Sequence, residues 1–214
     1  MSRKQTHPAD APAALDWQVI VPVKHRSAAK SRLIVPRGVS RSQLAHAMAR
    51  DTVHAAAVAV GPGAVTVLTS DELMSAWALE HDVTVLADPG GGLNDALAFA
   101  LSRHRGARVA VLLGDLPALR PEHLEVALAA GGRHRLAFVP DRDGAGTCLL
   151  TSTGPDLVPW FGPDSAWRHE HLLGARQLDL PLPELRADVD TATDLTAALA
   201  LGVGAHTRLA LLNR

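Results

Sequence analysis

The chain has 214 residues, 47% of them hydrophobic and 20% charged, which supports one compact domain with a sizeable core and leaves little room for a second. Basic and acidic side chains nearly cancel to a net charge of -1, so no global attraction to nucleic acid or an anionic membrane is expected, and any phosphate chemistry has to come from local clusters. The single cysteine, Cys148, excludes an intrachain disulfide and a multi-cysteine metal site, and a chain without tyrosine is poorly equipped to stack bases.

Residues 1–16 mix Arg3, Lys4 and Asp10 with Pro8 and Pro12 and hold no apolar segment. They read as a disordered lead before a domain at 17–214, and with no apolar run long enough for a bilayer the simplest location is the cytoplasm. Residues 17–24 (WQVIVPVK) are a nearly continuous apolar run, as expected of a strand buried on both faces. A basic loop follows. Leu44, Met48, Ala55 and Val58 then recur at helical spacing, which predicts a long helix over 41–60 ended by Gly61-Pro62-Gly63. The pattern continues with strands at 65–69 and 83–87 around a helix at 72–81, a glycine turn at 90–92, a helix at 93–103, the most apolar strand at 109–113, and a helix at 121–130 with Pro121 in its first turn. Such alternation predicts an α/β fold with a mostly parallel sheet flanked by helices. Beyond residue 135 the texture changes: short strands at 136–139 and 148–150 around a glycine turn, a helix at 164–173, a strand at 178–180, and a last helix from 191 to about 201. The apolar tail at 209–212 fits packing on its own domain or on a neighbour, so the oligomeric state stays open.

In open parallel sheets, ligands bind beyond the carboxyl ends of the strands. At the end of the first strand, Lys24-His25-Arg26-Ser27-Ala28-Ala29-Lys30-Ser31-Arg32 combines four Lys and Arg side chains with two hydroxyls, a combination suited to polyphosphate, although its spacing is not that of a Walker A loop and a solvated basic loop is the plain alternative. Asp88-Pro89-Gly90-Gly91-Gly92-Leu93-Asn94 allows close backbone approach before a helix, with Gly91, Gly92 and Asn94 as nucleotide candidates; taken alone, the motif is better explained by a connecting loop with Asn94 near the helix start. Asp115, directly after the apolar strand in Gly114-Asp115-Leu116-Pro117, suits a magnesium ion held against phosphate, or a turn. Asp188 and Asp190 alternate in Ala187-Asp188-Val189-Asp190-Thr191, so both carboxylates share one side of an extended segment; either completes a metal site with Asp115 or caps the next helix.

Two further segments suit an anionic acceptor: Asp143-Gly144-Ala145-Gly146-Thr147, and Phe161-Gly162-Pro163-Asp164-Ser165 leading into a helix. Thr147, Gly162 and Ser165 are the candidates there, with Asp164 as an ordinary cap on the plain reading. The eleven histidines form no zinc spacing; His169 and His171, two apart on a predicted helix, point to different faces and are taken as structural or surface residues.

In order and spacing, Val21-Pro22-Val23-Lys24 with Ala29-Lys30-Ser31-Arg32-Leu33, Gly92-Leu93-Asn94, Gly114-Asp115-Leu116-Pro117, Gly146-Thr147, Phe161-Gly162-Pro163-Asp164-Ser165 and Asp188-Val189-Asp190-Thr191 resemble the CofC/FbiD family over residues 17 to about 201. Each motif is weak alone, and the ordered set is specific. Ala145 departs from a Gly-Thr-Gly-Thr stretch frequent in similar sequences. The resemblance implies a Rossmann-like, glycosyltransferase-A-type nucleotidyltransferase. Its implied reaction is guanylyl transfer from GTP to phosphoenolpyruvate or 2-phospho-L-lactate, with pyrophosphate release, in coenzyme F420 biosynthesis. Lys24, Lys30 and Arg32 would hold GTP, magnesium would sit on Asp115 and Asp190 or Asp188, and Thr147, Gly162 and Ser165 would hold the acceptor phosphate. Phosphoenolpyruvate is the favoured acceptor because the chain looks like the bacterial branch. A transferase with another acceptor and a catalytically silent nucleotide-binding partner are the competing readings.

Overall fold

Strand β1 (Trp17–Pro22) lies inside a seven-stranded sheet in the computed structural model, which describes residues 17–24, 33–35, 37–104, 108–155 and 157–212. The other strands are β2 (Val65–Thr69), β3 (Thr84–Ala87), β4 (Arg108–Leu112), β5 (Leu136–Pro140), β6 (Thr147–Ser152) and β7 (Arg176–Gln177). Their spatial order is β3-β2-β1-β4-β6-β5-β7, and every neighbouring pair is parallel except the two that involve β6. The helices are α1 (Arg41–Val60), α2 (Glu72–Glu80), α3 (Leu93–Leu101), α4 (Pro121–Gly131), α5 (Ser165–His171), α6 (Ala192–Leu201) and α7 (Ala205–Leu212).

The continuous apolar runs are explained by the two-sided core. Along β1, Val19 and Val21 pack with residues of α1, α2 and α4 on one face of the sheet, while Ile20 packs with Ala96, Leu97 and Ala100 of α3 on the other. The same alternation divides β4 and β5: Ala110, Leu112, Ala137 and Val139 go to the first face, and Val109, Val111 and Phe138 to the second. A strand with helices on both faces needs apolar side chains at every position.

One strand lies away from its expected place, and the apolar tail takes the own-domain alternative. The strand expected at 178–180 is instead β7, two residues earlier, because the chain leaves the sheet at the prolines. Leu178 N–H still donates to Phe138 carbonyl oxygen (2.8 Å), but Pro181 and Pro183 have no N–H to give, and Leu182 N–H turns back to Leu180 carbonyl oxygen (2.8 Å). The apolar tail belongs to α7, which packs on α1. Its amino terminus is held by the buried carboxylate of Asp51 on α1, which accepts from the N–H groups of His206 (3.0 Å) and Thr207 (2.8 Å) and lies 3.0 Å from His206 Nδ1. Gly204 is required there, since a Cβ would run into the Asp51 side chain.

Removing that carboxylate leaves the orphan amides of α7 without their cap. Asp51→Ala is expected to lower stability by about 1–2 kcal/mol in chemical denaturation, and the α7 amides should then be among the first to exchange.

Candidate active site

Because β6 runs against its neighbours, its first residue lies at the edge of the sheet where β1, β4 and β5 end. Lys24 after β1, Asp115 after β4 and Thr147 at the start of β6 therefore share one cleft of about 560 Å³. The lining also includes Gly162, Ser165, Asp188 and Asp190, joined by His46, Asp141 and Asp164. Lys30 and Arg32 lie outside the described residues. Gly91, Gly92 and Asn94 do not line the cleft, although Leu93 does.

The acidic side is built by backbone contacts. Val189 N–H donates to the carbonyl oxygen of Asp115 (3.1 Å), which ties the 188–190 segment beside the end of β4. Gly114 permits this approach to β1: a Cβ would lie 2.9 Å from the carbonyl oxygen of Pro22 and press on Val23. The cap of α6 is Thr191, whose hydroxyl accepts from Asp194 N–H while the Asp194 carboxylate reaches back to the Thr191 N–H. Neither Asp188 nor Asp190 is the side-chain cap of α6. The buried thiol of Cys148 lies 4.0 Å from Asp188 Oδ1 and is pushed well up, first by burial and then by the charges of Asp188, Asp115 and Asp141. Negative charge is thus concentrated at this side of the cleft.

The glycine turn and the 161–165 loop are built by side-chain contacts to the backbone. The carboxylate of Asp141 folds the glycine turn by accepting from Ala145 N–H (3.0 Å) and Gly146 N–H (2.8 Å), and Arg186 holds the Asp141 carbonyl oxygen through Nη2 (2.9 Å). Asn94 reaches from α3 to Phe161 across 67 positions of sequence, accepting from its N–H (2.8 Å) and donating to its carbonyl (3.0 Å). It anchors the loop that carries Gly162 and Ser165. Asp164 has a left-handed backbone (φ 54°) and makes no side-chain cap; Ser165 behind it is buried at the first turn of α5.

Residues 17–212 match the family model described as guanylyl transferase CofC like. The chain belongs to this family. It is 46% identical to the phosphoenolpyruvate guanylyltransferase of Geodermatophilus obscurus over 89% of this chain and 92% of that one, and 44% identical to the enzyme of the same name from Mycobacterium leprae strain Br4923 over 90% and 92%. Among solved structures, the manganese complex of Rv0371c from Mycobacterium tuberculosis H37Rv shares the fold, with a TM-score of 0.53 and 21% identity over 86% of this chain and 98% of that one. No helix among the described residues is long and apolar enough to cross a membrane.

Two features of this CofC-family cleft went unread in the sequence, and for the nearby His169 the choice between a structural and a surface place was left open. His46 on α1 places Nε2 3.2 Å from the buried carboxylate of Asp71, which also caps α2. Asp141 holds the glycine turn, and its place just ahead of Asp143-Gly144-Ala145-Gly146 was the available signal, since aspartate commonly accepts from the amides of a following turn. His169 is not a surface residue: it is fully buried, with the rings of Phe161 (5.1 Å between centroids) and Phe138 (6.1 Å) beside it, whereas His171 is exposed and stacks on Trp167.

Burial, and secondarily the charge of Arg168, lowers the His169 pKa from 6.5 to about 4. The unfolded chain therefore binds a proton between those values that the folded chain does not. The contribution of neutral His169 is complete above about pH 6.5 and declines as pH falls toward 4. Between pH 7 and pH 5 the wild type should lose about 2 kcal/mol of stability from this group in denaturant titrations, and His169→Gln should lack that component.

Proposed function

We propose that this chain transfers the guanylyl group of GTP to phosphoenolpyruvate, forming enolpyruvyl-diphospho-5'-guanosine and pyrophosphate on the way to coenzyme F420. The observation that carries the reading is that one cleft gathers two sets of residues, the carboxylates of Asp115, Asp188 and Asp190 and the group Thr147, Gly162 and Ser165. A metal-bound nucleotide suits the first, and a small phosphorylated acid suits the second. The names of the relatives supply the acceptor.

Five aspartates and a single lysine are the charged side chains of the described lining. Two phosphorylated substrates cannot enter such a site unless its negative charge is offset, and hard carboxylate oxygens fit a divalent cation such as magnesium. Magnesium commonly takes one or two protein carboxylates and completes its shell with phosphate and water. Asp115 and Asp190, with Asp188 as the alternate, would hold it. When bound, the metal would neutralise charge on the transferred phosphate and on the departing pyrophosphate.

Lys24 faces the same cleft from the end of β1 and is assigned to the nucleotide phosphates, together with Lys30 and Arg32 of the following loop. The acceptor phosphate, held by Thr147, Gly162 and Ser165, attacks the α-phosphorus with one of its oxygens. The new P–O bond forms as the bond to the β-phosphate oxygen breaks, and the electron pair leaves with pyrophosphate. No general base is required, because the attacking phosphate is already ionised; positioning and charge neutralisation supply the acceleration.

Asp115→Asn and Asp190→Asn should each lower pyrophosphate release by about a hundredfold or more while the melting transition is kept. Full activity in both would remove the metal assignment. Mass analysis of the products from GTP with phosphoenolpyruvate, and separately with 2-phospho-L-lactate, should give the enolpyruvyl product at the higher kcat/KM. The reverse ranking would make the second acid the substrate, and GTP binding without product from either acid or any other acceptor would make the chain a silent nucleotide-binding partner.

A further inference from the structure

Thr147, assigned above to the acceptor phosphate, is paired with the buried His169, to which that reaction gives no part. Thr147 Oγ1 lies 2.9 Å from His169 Nδ1, and the backbone N–H of Trp160 points at His169 Nε2 from 3.2 Å. A backbone N–H only donates, so Nε2 must present its lone pair. A proton on Nε2 would set two donors against each other in a buried pocket, which is unfavourable. The ring packs among Phe138 and Phe161, surroundings that disfavour the imidazolium form and leave a neutral ring with its one proton on Nδ1. Nδ1–H therefore donates to Thr147 Oγ1.

The consequence falls on the threonine. A hydroxyl that accepts from Nδ1–H cannot return its own proton along the same line, so it has to donate elsewhere. Thr147 lines the cleft beside Gly162 and Ser165 and has no other side-chain partner among the described residues. The same imidazole reaches the 160–165 segment through Trp160 and rides on the helix that begins with Ser165. We infer that His169 is a positioning residue that fixes Thr147 as a one-way donor toward an oxyanion of the acceptor and couples the glycine turn to the loop facing it. The identity of that oxyanion rests on the acceptor reading above; the direction of the hydrogen bond does not.

Long-range proton–nitrogen correlation spectra of the histidine-labelled wild-type chain separate the two. The His169 signals, identified by their loss in His169→Gln or His169→Asn, should show protonated Nδ1 and unprotonated Nε2 from pH 6 to pH 8. An Nε2–H tautomer, or an imidazolium at pH 6, would overturn the inference whatever the chain catalyses. In steady-state assays, His169→Gln and His169→Phe should raise the KM for phosphoenolpyruvate roughly tenfold and leave the KM for GTP unmoved. His169→Asn, with an amide donor near the Nδ1 position, should recover part of the loss. In a Thr147→Val background, His169→Gln should add nothing further, because the hydroxyl it directs is gone. Equal effects in both backgrounds, or equal shifts in both KM values, would reduce His169 to a packing residue. Absence of transfer to phosphoenolpyruvate by the wild type would instead fail the acceptor reading, and the tautomer spectrum would still decide the pairing.

Discussion

The cleft depends on one departure from parallel order, the antiparallel passage of β6 between β4 and β5. A parallel strand there would have put Thr147 at the far edge of the sheet from Asp115. Running antiparallel, β6 pairs Leu149 with Leu112 and starts where β4 ends, and Leu113 N–H extends the ladder to the Cys148 carbonyl oxygen (2.9 Å). Asp115 and Thr147 thereby rest at the ends of adjacent strands of one buried sheet. Side chains anchored in this way hold their separation with little reorganisation, which positioning chemistry requires.

Around that frame the recurring device is a backbone contact made by a residue remote in sequence. Val189 holds Asp115, Asn94 holds Phe161, Arg186 holds Asp141, and Gly204 N–H donates to the Pro117 carbonyl oxygen (2.8 Å). Each joins a loop at the cleft to a different part of the fold. Asp115, Asp141 and Phe161, the first three residues so held, line the cleft.

The strands and long helices were legible in the sequence because their apolar periods are local: α1 runs over the span its repeating apolar positions imply, and β1 lies in its valine and isoleucine run. Asp115, Thr147, Asp188 and Asp190 were legible as candidates for a related reason, since each sits next to an apolar run or a glycine turn and the sheet gathers strand ends. What could not be read depends on pairing across distance. Nothing near Asn94 announces that its amide closes on Phe161, and Gly91 and Gly92 beside it lie outside the cleft. Helix α7 is held by Asp51, about 155 positions earlier. His169, two positions from an exposed histidine, owes its burial to two phenylalanines and a threonine brought by other elements.

The three residues assigned to the acceptor, Thr147, Gly162 and Ser165, are neutral although Asp141 and Asp164 line the same cleft. An arginine at Thr147 would bind an anionic acid strongly, but its charge would also compete with the proposed cation for the carboxylates of the cleft. It would hold the acceptor equally well before and during the reaction, which improves binding without helping the chemical step. A hydroxyl aimed by a neutral imidazole avoids both penalties: it adds no charge, it has a direction, and its proton has one place left to go. On this argument the buried, poorly basic His169 is part of the same electrostatic solution as the aspartates of the cleft, keeping positive charge away from Thr147 so that it can be concentrated where the phosphoryl group is transferred.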